Sequence, residues 1–224
     1  MQPVVLAILV LNTIVFVAWI ILGQVPVMTD NFLVSWDALL AGRYWTLLGS
    51  AFSHIAGFHF LINMYVLATF GSFVEQVIGS WRFVVFYLVA AIIGSLGHAT
   101  VSAFLLDKPE LPALGASGAV SGVVILFSLM MPRATLLLLG LIPMPALVGA
   151  LLFVGLDVIG LIAQTEGGGL PIGHGAHLGG AAAGAAYYLL AARHIRVPVG
   201  RQANYSDVEA WHGLIRMSGF GKRL

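Results

Sequence analysis

Cysteine is absent from the 224 residues, which excludes disulfides, thiolate metal sites and a cysteine nucleophile and leaves the redox compartment open. Charge is scarce as well. Asp, Glu, Lys and Arg make up 8% of the chain and hydrophobic residues 60%, against roughly 25% and about 45–50% in ordinary soluble domains. So few charges on so much hydrocarbon describe an all-α membrane protein. The net charge of +1 leaves no basic stripe of the kind nucleic acid requires, so no nucleic-acid partner is expected. No repeat of fixed period is visible, which counts against the repeated halves common to transporter folds. HExxH is missing, and His54, His59, His174 and His177 have no evident carboxylate ligand, so neither a metal nor another cofactor is expected.

What the chain does have is long apolar runs. Stretches near the ~20 residues needed to cross a bilayer occur at about 3–23, 45–72, 81–106, 115–131, 136–163 and 173–192, predicting a six-helix bundle. The first run lacks a basic leader and a small-residue cleavage site, so it reads as a retained helix rather than a signal peptide. Pro143 and Pro145 fall inside the fifth run, which predicts a kink or a later start. With six spans both termini share a side. That side holds eight of the ten lysines and arginines, the other only Arg43 and Lys108, so both ends are expected on the cytoplasmic (or matrix) side. Residues 1–195 form one membrane-embedded domain in this reading. Residues 196–224 are a basic tail, in which Ser206 and Glu209 have capping-box spacing before an apolar stripe suited to the headgroups.

This topology brings three polar clusters to one depth, near the outer starts of the second, fourth and sixth spans: His54, His59 and Asn63; Ser117; and His174 and His177. Polar groups in lipid are costly and tend to mark a function or a wet cavity. His59 and Asn63, four apart, share a helix face. Gly118 and Gly122 follow Ser117, and Gly180 and Gly184 follow His177; such small-residue faces let helix backbones approach closely. Serine and imidazole could then reach the roughly 2.6–3.2 Å needed for proton transfer, and the chemistry reads as acyl transfer. Donors for the oxyanion would be the backbone N–H groups of Ser117 and its neighbour Ala116, at a positive helix start, with the side chains of His59 and Asn63. Taken alone, a serine between glycines in a membrane helix is most often a packing residue. Its company reverses that weighting.

HIAGFHFLIN (54–63), GASGA (115–119) and AHLGGAAAG (176–184) together resemble the rhomboid intramembrane serine proteases, over about residues 1–195. The wording is similar to the mitochondrial, presenilin-associated branch, and a bacterial inner-membrane member is expected. The resemblance implies a Ser117–His177 dyad with no required carboxylate, His59, Asn63 and backbone amides at the oxyanion hole, and transmembrane protein substrates cut near the outer face. It also implies a half-embedded loop at about 24–44. Two departures stand out. The loop's usual Trp-Arg pair is Trp45-Thr46 here, with Arg43 nearby, which leaves Trp45 a structural part; the tyrosine often found four residues after the serine is Ser121.

The remaining polar residues read more plainly. His54 is expected to be structural and His174 an interface histidine. Glu75 lies about 24 Å from His59 along a helix at 1.5 Å per residue, too far for a triad, and is assigned a structural role. Asp157 is nearer the right depth and is read first as hydrogen-bonded scaffold or a neutral carboxyl. The rival to an active protease is a rhomboid-like pseudoprotease that binds membrane clients; a small transporter is the weaker alternative.

Overall fold

The structure, a computed structural model, describes residues 1–138 and 142–195. Helix α1 (Pro3–Leu22) opens with proline in its first turn, where a missing N–H costs nothing, and closes at Gly23, whose φ of 67° suits only glycine well. Three short helices follow: α2 (Pro26–Phe32), α3 (Trp36–Leu40) and α4 (Thr46–Gly49). They bury Met28, Val34 and Leu39, and Val34 makes an isolated antiparallel bridge to Ala113. The loop expected at 24–44 is therefore a folded cap bonded to the segment that precedes Ser117.

The second long helix begins later than its hydropathy suggests. It runs continuously over Gly57–Ile78 as α5 (Gly57–Val66), a π-helical turn (Leu67–Gly71) and α6 (Ser72–Ile78). The apolar residues from 45 to 52 belong to α4 and a 3₁₀ turn instead. Gly79, at φ 87°, reverses the chain directly into α7 (Ser80–Phe104). Helix α8 (Ser117–Met130) is followed by a hairpin, β1 (Thr135–Leu138) pairing antiparallel with β2 (Ile142–Pro145). Helix α9 (Ala146–Thr165) starts only after Pro145. The fifth apolar run thus shows the later start that its prolines predict: they end an extended segment, and the helix begins where the backbone can again donate. Helix α10 (His174–Tyr187) continues into a π-helical turn, Tyr188–Ala192.

Among the described residues, α1, Gly57–Ile78, α7 and α9 are long and apolar enough to cross a membrane. The protein is a mostly helical, multi-pass membrane protein. At 14 residues α8 falls short of the ~20 a free span needs; α10 with its π-helical turn covers His174–Ala192. The tail assigned to 196–224 lies outside the described residues.

Lipid offers no hydrophobic drive for helix association, so close packing must hold the bundle together. Glycine supplies it. A Cβ at Gly180 would overlap the carbonyl of Gly118, one at Gly184 the carbonyl of Gly122, and one at Gly97 the carbonyl of Gly175. Helices α7, α8 and α10 accordingly meet backbone to backbone. Around them Val5, Leu67, Val74, Phe83, Tyr87, Val123 and Leu126 form one buried apolar cluster. Glu75, 1% exposed, is a buried acid beside it: its carboxylate accepts from the amides of Val4 (3.1 Å) and Val5 (2.8 Å) and from Ser80 Oγ (2.7 Å). It caps the start of α1 with the sign the helix dipole favours.

Candidate active site

Gly115, at φ 128°, turns the loop into α8 and sets Ser117 at the helix start. A Cβ at Gly118 would lie 3.2 Å from the carbonyl oxygen of Ala176. Ser117 and His177 therefore flank a close approach of α8 and α10, each one residue from it. Both are half-buried and line one cavity of about 820 Å³, together with His59, His98 and His174. Ser121, where a ring was expected to be missing, donates its hydroxyl to Ser117 O at 2.7 Å, a bond internal to α8.

His177 is held from the opposite side by α9. Its Nδ1 lies 2.9 Å from Asp157 Oδ1, and Nδ1 of His174 lies 2.6 Å from that same oxygen. Phe153, one turn before Asp157, packs its ring against His177 with centroids 5.6 Å apart and planes inclined by 34°. Gly160, one turn after, leaves room for the His174 ring, which a Cβ there would strike. Phe153, Asp157 and Gly160 follow the i, i+4, i+7 rule of one helix face, so a single stripe of α9 seats both histidines of α10. Two expectations change here. The histidines do have a carboxylate partner, and the ring lost at Ser121 is replaced by Phe153 from a different helix. Asp157, His174 and His177 also present three potential metal donors within 4.8 Å of one another, so the donor set of a cation site exists where none was foreseen.

On the other wall, the His59 ring lies over Gly115, where a Cβ would stand 2.6 Å from its Cε1, and it meets the His54 ring edge-on at 5.1 Å. His54 is fully buried, and its Nε2 accepts the backbone N–H of Ala116 at 3.3 Å. That bond corrects one detail: the Ala116 amide, assigned to the oxyanion hole, is spent on His54. Asn63 is buried and donates one amide N–H to His59 O at 2.8 Å, leaving its second N–H without a protein acceptor among the described residues. Trp45 is more than half exposed at the start of α4, beside the exposed Arg43–Asp30 ion pair (2.5 Å). His98 hydrogen-bonds Leu111 O at 3.0 Å, and Asn12 donates to Ile8 O at 2.9 Å.

Residues 41–194 match the model of the rhomboid domain. The chain belongs to the rhomboid family. Similar relatives include the RHOMBOID-like protein 12, mitochondrial, of Arabidopsis thaliana, 38% identical over 196 residues (82% of this chain, 57% of that one). The presenilin-associated rhomboid-like protein A, mitochondrial, of Danio rerio is 33% identical over 192 residues (83% and 47%). The rhomboid protein 1, mitochondrial, of Saccharomyces cerevisiae is 35% identical over 151 (63% and 40%). The chain spans about half the length of these curated relatives. The matched rhomboid region contains Ser117, His177, His59, His98 and His174 of the cavity wall, and Asp157 and Phe153 with them. Asp157 was read from the sequence first as scaffold and Phe153 went unassigned, because a carboxylate and a ring on the fifth apolar run carry no motif. Their signal was the spacing 153, 157, 160 set against 174 and 177.

Proposed function

We propose that the protein is an intramembrane serine endopeptidase that cuts transmembrane segments of other membrane proteins near the outer face, with Ser117 and His177 as its dyad. The observation that carries this reading is the shared cavity: a hydroxyl and an imidazole from different helices open onto one space beside His59, within a rhomboid domain. His177 Nε2 takes the Ser117 proton while Oγ forms a bond to the peptide carbonyl carbon, whose π electrons move onto its oxygen. Collapse of that intermediate breaks the C–N bond, and the imidazolium returns its proton to the leaving nitrogen. Water then releases the acyl group by the same steps. The Ser117 amide at the helix start, His59 and the free N–H of Asn63 are the donors offered to the oxyanion. Gly118, Gly122, Gly180 and Gly184 keep the two helices close enough for the transfer.

In this reading the six apolar segments all cross, the short α8 surrounded by longer helices, with both termini on the cytoplasmic side. The membrane is a bacterial cell membrane. The mitochondrial inner membrane is the second reading, favoured by the names of the relatives. Membrane proteins with one span are the substrates, and lipid is the surrounding solvent. Incubating the purified chain with a panel of single-span proteins and locating the cut by mass tests the reading. Cleavage within a span, lost in Ser117→Ala, supports it; clients that bind without being cut would make the protein a rhomboid-like pseudoprotease.

A further inference from the structure

We propose, building on the protease reading, that Asp157 is the positioning residue of this site: it fixes His177 so that Nε2 faces Ser117, and His174 holds Asp157 in place. An ionised carboxylate only accepts hydrogen bonds. Two imidazole Nδ1 atoms lie at 2.6 and 2.9 Å from one Oδ1, and in this proposal the carboxylate takes the Nδ1 proton of both. For His177 that leaves Nε2 unprotonated, the form a base needs, and the ring cannot turn over without breaking the bond. When Ser117 gives up its proton, the carboxylate faces the imidazolium that forms and stabilises it.

Burial separates this role from mere scaffolding. Most of α9 is apolar and faces outward, with Leu151, Leu156, Ile159 and Ile162 each more than half exposed, while Asp157 is 4% exposed. An acid buried at membrane depth costs several kcal/mol unless it is well bonded. Yet Oδ2 of Asp157 and Nε2 of His174 are buried without partners among the described residues. A tether between α9 and α10 would be cheaper with an uncharged amide. The stripe itself is arranged around the imidazole: Phe153 covers the ring of His177, Asp157 takes its N–H, and Gly160 admits the second histidine that shares the carboxylate. His174 thus acts on Asp157, and Asp157 on His177.

The full chain in detergent, with ¹⁵N-labelled histidine, provides a readout independent of turnover. The expected result is His177 protonated on Nδ1 and bare on Nε2, with the Nε2–H form gaining population in Asp157→Ala. An Nε2–H ring in the unmodified protein overturns the proposal. Asp157→Asn keeps the shape and an oxygen acceptor, so a tether would survive it, but it lacks the charge. We expect kcat to fall on the order of 10²–10³-fold with KM within about twofold. A fall of less than tenfold in kcat, or a loss carried by KM, overturns the proposal. If the unmodified chain neither cleaves nor reacts with a fluorophosphonate, the protease reading fails by itself and the tautomer measurement still decides the part played by Asp157.

Discussion

Replacing Gly180 with alanine is the sharpest test of how packing serves the chemistry. The new Cβ would overlap the carbonyl oxygen of Gly118 and lie 2.6 Å from its carbon, where ordinary contact begins at 3.4 Å. The atoms in the way are backbone, so no rotamer change relieves them. Helices α8 and α10 must part by on the order of 1 Å at a point one turn from His177 and one residue from Ser117. A shift of about 1 Å in a reacting pair costs roughly 10²-fold in rate, and overpacking typically costs about 1–3 kcal/mol of stability. Cleavage of a single-span substrate, measured below the melting temperature of the variant, should therefore show kcat reduced about 100-fold with KM little changed. Gly155→Ala on α9, where a Cβ meets nothing within 4 Å, is the matched control and should turn over normally. A folded Gly180→Ala enzyme with unaltered kcat would refute the argument that glycine sets the distance between the dyad partners.

Asn63→Ala should slow turnover by about 10–100-fold without abolishing it, because the Ser117 amide and His59 remain as donors; a dead but folded variant would give Asn63 a larger part. Glu75→Ala strips the amides of Val4 and Val5 and the Ser80 hydroxyl of their acceptor. It should lower the melting temperature, at a cost of about 1–3 kcal/mol, while the surviving folded fraction keeps its specific activity; unchanged thermal stability would argue against the cap. Turnover should be indifferent to EDTA, since one oxygen of Asp157 already lies within hydrogen-bond distance of Nδ1 of both histidines. Loss in EDTA with recovery on adding zinc would turn these residues from a hydrogen-bonded cluster into a metal centre.

Much of this architecture is readable from residue order, because hydropathy and helix punctuation are local. Pro3 and Gly23 bound a helix that the structure places within a residue of the expected span, and α7 starts one residue from its expected position, although the helix before it runs on to Ile78, past the expected 72. The failures are equally local. Residues 45–52 are apolar enough to join the following helix, yet the chain reopens at residues 53–56 and starts the long helix afresh at Gly57. Pro143 and Pro145, by contrast, announced the later start that α9 shows. At the site, the residues with motifs were visible and the residues that support them were not. Ser117, His59 and His177 stand in recognisable strings. Phe153 and Asp157 become meaningful only when α9 is laid against α10, an inter-helix relation that no window along one helix contains. His54 illustrates a finer limit: its place near the serine was foreseeable, but not that it would take the Ala116 amide.

The central claim is that Ser117 is a nucleophile activated by His177. Treating the protein with a fluorophosphonate and mapping the modified residue by tandem mass spectrometry tests it most directly. The account predicts a single phosphonyl adduct on Ser117 that forms far more slowly in His177→Ala. No adduct, an adduct elsewhere, or an undiminished rate without the imidazole would contradict it.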